Sequence, residues 1–319
     1  KINPGLTAGV IVSGAFCGSN ISPLSGTTNL AASVGEISIY KHIKSLLTTD
    51  IPAWAICLIL YTFLGLNSKN VSLGAVHQMM AGLQNGFWIS GWALLPVLLL
   101  IVLAIFQVPA IPSLGLGSLF AVVLGWIHAP KTSLTTITNT IMTGYVSHTG
   151  DKTIDTLLSK GGISSMLTSL ALIIFALALG GLLIKFNIIS AIINHLTGIV
   201  KTPGRLTFST ALTCIGVNLL VGEHYLAIIL PGQSFLPSFD KLGLKRVDLT
   251  RILNDAGAAV NAIVPWSVSG VFIASTLQIN PLNFIPWAFF PFFVTILTII
   301  AGMLVKVPVK SPAANLATE

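Results

Sequence analysis

Residues 2–34 carry no formal charge, yet they are crowded with Ser, Thr, Asn and Gly around Pro23. Ser22, Ser25, Thr27, Thr28 and Asn29 supply hydroxyl and amide oxygens, and a break at Pro23 frees backbone carbonyls beside them. Such a set suits a hard cation, which takes oxygen ligands. Half-helix ends also suit an anionic carboxylate. The plainer alternative is helix packing by small polar residues. Glu223 stands alone in the apolar run LLVGEHYLAIILPG. A carboxylate at membrane depth costs roughly 3 kcal/mol or more, which a cation, a proton or a partner can offset. The alternative is a helix end facing water. His224 would point about 100° away on a helix and is the weaker candidate. Asp255, in RILNDAGAAVNAIVPW, either caps a helix N-terminus or coordinates an ion, with Asn254 and Asn261 adding neutral oxygens. A sodium site is expected at Ser25, Thr28, Asn29 and Glu223, with helix breaks at Pro23, Gly26 and Pro265 and a second polar turn at Ser267.

These residues must be held in a bilayer. The chain has 319 residues, of which 54% are hydrophobic and 8% charged, against roughly 25% charged in soluble domains. Its mean hydropathy is +0.90. Segments 70–130, 161–184, 206–222 and 256–305 lack charge altogether, and a span needs about 20 apolar residues. The composition predicts an all-α polytopic membrane protein. The net charge of +7 comes from cations at segment ends, such as Lys41, Lys44, Lys201, Arg205, Lys241, Lys245, Arg246 and Arg251. That placement fits membrane topology and lipid headgroups rather than nucleic acid, and puts the connector 241–251 on the cytoplasmic side. Cys17, Cys57 and Cys214 lie in apolar segments with no metal-ligand or disulfide spacing. The remaining histidines show no ligand spacing, His42 reads as a connector residue, and Lys185 as a snorkelling span end. With no Walker loop and no hydrolase pattern beyond the pair Glu223–His224, an enzyme is not expected.

Four stretches organise the chain: 1–35, a first broken or re-entrant element; 36–160, connector and scaffold spans; 161–305, a second set of spans with a second broken element at 256–279; and a disordered tail at 306–319. In more detail, the reading gives a broken element at 5–32, a basic connector at 36–50 and a helix at 51–66 with Pro52 in its first turn. An interfacial or irregular stretch follows at 68–91, then spans at 92–108 and 112–127 and a polar connector at 128–162. Spans at 163–184 and 188–200, an interrupted span at 206–230, a charged connector at 231–254 and a last span at 283–305 complete it. Ser22-Pro23-Leu24-Ser25-Gly26-Thr27 is similar to Val264-Pro265-Trp266-Ser267-Val268-Ser269. Paired interrupted segments in two halves point to a transporter's binding site.

The stretch Gly18-Ser19-Asn20-Ile21-Ser22-Pro23-Leu24-Ser25-Gly26-Thr27-Thr28-Asn29-Leu30-Ala31 resembles the G-D-K-x-S-P-L-S-D-T-T-N-L-A signature of the NhaC-type sodium/proton antiporter family, whose relatives include malate and lactate exchangers. YKHIKSLLTTDIPAW, GGISSML, GEHYLAIILPG, LTRILNDAGA and IVPWSVSG extend the resemblance from about Ser13 to Gly302. It implies a secondary transporter of the bacterial plasma membrane, with two inverted-repeat halves, sodium or a proton as coupling ion and no other cofactor. It also implies that N-terminal sequence of a longer protein is absent. The expected partners are lipid and a small cation or organic anion, with homo-oligomerisation left open. Ser19, Asn20 and Gly26 stand where the family signature has an acid, a base and an acid, and Asn254 replaces a common acid. Losing acid and base together avoids a stranded buried charge, while the loss at Gly26 has no visible compensation. The alternatives to cation exchange are an organic-anion or amino-acid exchanger on the same scaffold, and a non-transporting membrane scaffold.

Overall fold

The computed structural model describes residues 3–66, 80–81, 83–84, 89–130, 132–150, 154–155, 158–159, 161–187, 191 and 202–304. All but residue 191 of the expected span at 188–200, most of the stretch 68–91 and the tail 306–319 lie outside the described residues. Every regular element within them is helical. The chain divides into two compact units, residues 62–175 and a larger one formed by 3–61 with 176–319.

The larger unit begins with α1 (Pro4–Ile21) and α2 (Gly26–Val34), bent by 44° at the Ser22–Ser25 turn. Pro23 removes a backbone donor there, so the helix stops as the sequence predicts. α3 (Ile39–Leu66) is one helix of 28 residues. It overturns the expected basic connector at 36–50, and Pro52 lies inside the helix rather than in its first turn. His42, Leu46, Thr49, Asp50, Ala53 and Cys57 are buried while Lys41 and Lys44 are exposed. Those buried positions recur at helical spacing, so the lysines mark the wet face of a helix and not a loop.

The smaller unit contains α4 (Leu95–Ile105), α5 (Ala110–His128) and α6 (Leu134–Thr143). α4 and α5 approach closely because Gly117 faces Leu100, where a Cβ would lie 2.7 Å from a leucine methyl. Ile105, Ile111 and Ile127 are largely exposed, as side chains facing lipid must be. α7 (Ile163–Lys185) links this unit to the larger one.

α8 (Pro203–Val221) and α9 (His224–Lys241) follow, then α10 (Arg246–Ile252). The charged connector expected at 231–254 is therefore mostly helix: Pro231 and Pro237 sit inside α9. α10 continues through a π-helical turn (Leu253–Ala258) and a 3-10 turn (Ala259–Ile263), and bends by 45° into α11 (Val268–Leu277). α12 (Pro281–Phe284), a 3-10 turn (Ile285–Trp287) and α13 (Phe289–Met303) form a third bent pair, at 51°, where the sequence suggested one plain span. Among the described residues, three helices are long and apolar enough to cross a membrane, or six elements if each bent pair counts as one.

The core of the larger unit packs α8, α9 and the π-turn around Phe235, Phe239, Leu253 and Ala256. α1 lies directly on the 281–287 backbone, since a Cβ at Gly5 or Gly9 would overlap Asn283 or Trp287. Small residues let backbones approach this closely.

Candidate functional site

Two buried polar clusters form where helices break. The first joins α1, α3 and the π-turn. Asn20, in the last turn of α1, points Nδ2 at Asp50 Oδ1 at 3.5 Å and at Asp255 Oδ1 at 3.3 Å. Thr49 Oγ1 donates to Asp255 Oδ2 at 2.9 Å. Asp255 is fully buried and Asp50 is 2% exposed, and Asp50 Oδ2 has no hydrogen-bond partner. The π-turn widens the helix, and its loosened carbonyls find side-chain donors: Thr295 Oγ1 reaches Asp255 O at 2.9 Å, and Asn218 Nδ2 reaches Gly257 O at 2.6 Å. Both amide atoms of Asn254 are buried without a partner. Arg251, one turn earlier, is held by Asp248 at 3.1 Å, Ser45 and Thr298.

The second cluster is built on Gly222. Its φ of +74° ends α8 in a left-handed turn that glycine adopts without strain. The chain then restarts as α9 with Glu223 as N-cap, its Oε2 accepting from Leu226 N at 3.0 Å. Glu223 is fully buried, and its Oε1 has no hydrogen-bond partner. His224 Nδ1 lies 3.5 Å from that oxygen. The expected divergence of these two side chains fails because Glu223 has extended cap geometry, so helical angular spacing does not apply between them. The freed Gly222 carbonyl accepts from Val268 N at 2.9 Å and Asn261 Nδ2 at 3.2 Å. The break before α9 is thereby docked on the break before α11.

The sequence-predicted residues fall into three groups. Asn261 and Ser267 are buried in the second cluster, where they satisfy backbone: Asn261 Oδ1 accepts from Ser269 N at 3.0 Å, and Ser267 Oγ caps α11 through Gly270 N at 2.9 Å. Pro265 occupies the turn between them. Asp255 is no N-cap, because it sits mid-helix in the π-turn, so the capping expectation is overturned. At the first break, Ser25 Oγ bonds Ser19 and Thr27 hydroxyls, Thr28 Oγ1 donates to Asn20 O at 3.0 Å, and Asn29 Nδ2 donates to Pro23 O at 2.7 Å. Ser22 Oγ accepts from Leu24 N. Gly26 stands beside Tyr225, whose hydroxyl would be 3.1 Å from an added Cβ. That places the start of α2 against the side chain of Tyr225, two residues after Glu223.

Sequence reasoning missed Asp50, Thr49 and the part played by Asn20. Asp50 had a usable signal: it is the only charge between Lys44 and Lys69. His42, also read as a connector residue, is fully buried with Nδ1 2.9 Å from Thr250 Oγ1.

The Na+/H+ antiporter family profile matches residues 14–305. The Na+/H+ antiporter NhaC of Bacillus subtilis is 38% identical over 94% of this chain and 67% of its own length. The protein of the same name from Alkalihalophilus pseudofirmus is 36% identical, over 95% of this chain and 66% of its own. The malate-2H+/Na+-lactate antiporter of Bacillus subtilis is 34% identical, over 93% and 64%. The chain thus spans about two thirds of the length of these relatives. No solved structure matches it significantly. With helices that break at buried carboxylates and a profile match across nearly the whole chain, this multi-pass plasma-membrane protein belongs to the Na+/H+ antiporter family.

Proposed function

We propose that the intact protein exchanges a small monovalent cation against protons, acting as a secondary transporter rather than an enzyme. The observation that carries this reading is Glu223: fully buried at the junction of two helix breaks, with one carboxylate oxygen unpartnered. A carboxylate in that position needs a positive charge. It can hold a cation or a proton, but the two compete for the same oxygens, and competition at one site that opens to either side is exchange. Ser25, Thr28 and Asn29 stand on the neighbouring break and supply neutral oxygens for the passage of the ion. Sodium and the proton are the coupling ions in this reading, and the two halves around the breaks are inverted repeats.

Glu223→Gln keeps the shape and removes the charge. The differential worth of the charge, roughly 3 kcal/mol, corresponds to about a hundredfold in an equilibrium constant. Proteoliposome flux under imposed sodium and proton gradients should therefore fall by about two decades and lose its pH dependence, with insertion intact. Unchanged flux and an unchanged pH profile would remove Glu223 from the mechanism.

A second reading, exchange of an organic anion, is favoured by the start of α2. Its N-cap Ser25 makes no side-chain cap bond, and helix N-termini suit a carboxylate. The same assay with malate and lactate inside the vesicles separates the two readings.

A further inference from the structure

We propose that His42 is a proton-operated switch in the seam between α3 and α10: a proton on its free ring nitrogen parts the two helices and shuts exchange off. The consequence for exchange rests on the cation-exchange reading above; the opening of the seam does not. Three polar contacts at helical spacing on α3 make this seam. His42 Nδ1 lies 2.9 Å from Thr250 Oγ1. Ser45 Oγ donates to Val247 O and accepts from Arg251 Nη1, each at 3.3 Å. Thr49 Oγ1 donates to Asp255 Oδ2 at 2.9 Å. The seam thus runs from the basic ends of both helices to a buried carboxylate, and parting its first contact strains its last.

Hydrogen-bond accounting fixes the state of the ring. Thr250 Oγ1 donates its one hydrogen to Val247 O at 3.1 Å, so toward His42 it accepts, and Nδ1 carries the imidazole proton. Nε2 is then a bare lone pair, buried without a hydrogen-bond partner in a side chain that is 0% exposed. A proton added there makes a buried cationic N–H with no acceptor. The surrounding charges give no relief. Glu36, in the turn before α3, and Asp240, at the end of α9, are both held by Arg246, and Asp248 on α10 is held by Arg251. Lys41 and Lys44 on α3 and Lys245 before α10 are exposed cations of like sign. α2 and α13 carry no charge. Asp50 lies about 12 Å further along α3. Thr250 has no room to turn away, since a Cβ at Gly35 would lie 2.1 Å from its Cγ2. An imidazolium is stable here only where water reaches it, which requires α3 and α10 to part. A histidine buried neutral therefore holds the seam at high pH and ceases to do so as pH falls.

The test is hydrogen exchange of the intact protein in detergent from about pH 8 to about pH 4, corrected for the intrinsic pH dependence of amide exchange. Peptides covering 39–49 and 246–252 should lose protection on acidification, about tenfold per pH unit below the midpoint for one proton taken up, while those of α8 keep theirs. His42→Asn, whose amide can donate to Thr250 in place of Nδ1, should hold the seam closed across the range. Thr250→Asp, which gives an imidazolium its counter-charge, should do the same. Seam protection that ignores pH in the unaltered protein overturns the proposal without any variant. An acid loss that persists in His42→Asn overturns it too, and assigns the loss to the Arg246 or Arg251 ion pairs. In proteoliposomes one pH unit below the midpoint, exchange by His42→Asn should exceed that of the unaltered protein by about tenfold, and the two should be equal well above it. Equal exchange at both pH values overturns the switch. A seam that opens as expected in a protein that exchanges no cation at any pH overturns the transport reading alone.

Discussion

At the scale of single residues, what decides the chemistry is which charges are missing as much as which are present. Gly26 stands at the start of α2 against the Tyr225 hydroxyl, at a position where the resembling signature has an acid. Gly26→Asp would place a carboxylate within reach of a phenol able to donate to it. It adds charge to a site that otherwise offers neutral oxygens, and ligand charge tunes cation affinity. The half-saturating sodium concentration for flux should fall by about tenfold; no change in this variant would mean that Glu223 and Asp255 already supply all the charge. Tyr61 is a different kind of residue. Its hydroxyl donates to Trp287 O at 2.6 Å, accepts from Phe289 N at 3.2 Å and meets Ser13 Oγ at 2.6 Å. Its ring stacks on Phe289 with centroids 5.1 Å apart. One phenol thus satisfies the backbone of the third break. Tyr61→Phe leaves those groups unpaired and should cost about 1–3 kcal/mol, read as a lower thermal midpoint in detergent. Glu223 could be found from sequence because an acid in an apolar run is conspicuous; Asp50 was hidden because the two lysines before it suggested a wet connector.

At the scale of elements, the breaks matter more than the spans. Ser22-Pro23-Leu24-Ser25 and Val264-Pro265-Trp266-Ser267 each end one helix and start the next, with bends of 44° and 45°. Proline and polar turn residues made both legible. The bend at Trp287–Phe289 had the same kind of signal in Pro286 and Pro291, which was not used; Tyr61 on α3 satisfies the Trp287 carbonyl freed there. The π-turn at Leu253–Ala258 was hidden, since its extra carbonyls are satisfied by Thr295 and Asn218 from other elements. The first and second broken elements meet at Asn20 and Asp255. Gly222 is the hinge that presents Glu223. A Cβ there would require a left-handed conformation and would press on Ser267 Cα at 3.2 Å. Gly222→Ala should destabilise by about 1–2 kcal/mol and reduce flux together with stability. In the smaller unit, the connector before α7 is organised by Asp155, which accepts from Thr149 Oγ1 and N, Ser147 Oγ and Gly150 N. These bonds, Thr149's first, lower its pKa to about 2 from the usual 3.8. A depressed carboxylate stabilises above its unfolded pKa and ceases to do so as pH falls through its folded value. The connector should hold its hydrogen-exchange protection at pH 5 and lose it between about pH 4 and 2; Asp155→Asn should lose it at every pH.

At the scale of the whole molecule, the composition alone fixed the solvent: 8% charged residues in a chain of 319 is a membrane protein. What it could not convey is how prolines and cations distribute inside helices. Pro52, Pro231 and Pro237 lie within α3 and α9, and the charged stretches 36–50 and 231–254 are mostly helix that buries Leu46, Phe235, Phe239 and Leu249. Helix-breaking residues survive there because neighbouring helices re-satisfy the backbone. Among the described residues, the buried acids are Asp50 inside α3, Asp255 in the π-turn and Glu223 at the break before α9. The most direct test of cation-for-proton exchange is the sodium-driven pH change inside proteoliposomes of the intact protein, with a pH dye trapped in the lumen. An outward sodium gradient, high inside, should acidify the lumen as protons enter against sodium leaving, and Glu223→Gln should abolish the signal. A lumen pH that ignores the sodium gradient while malate or lactate gradients change it would contradict the account.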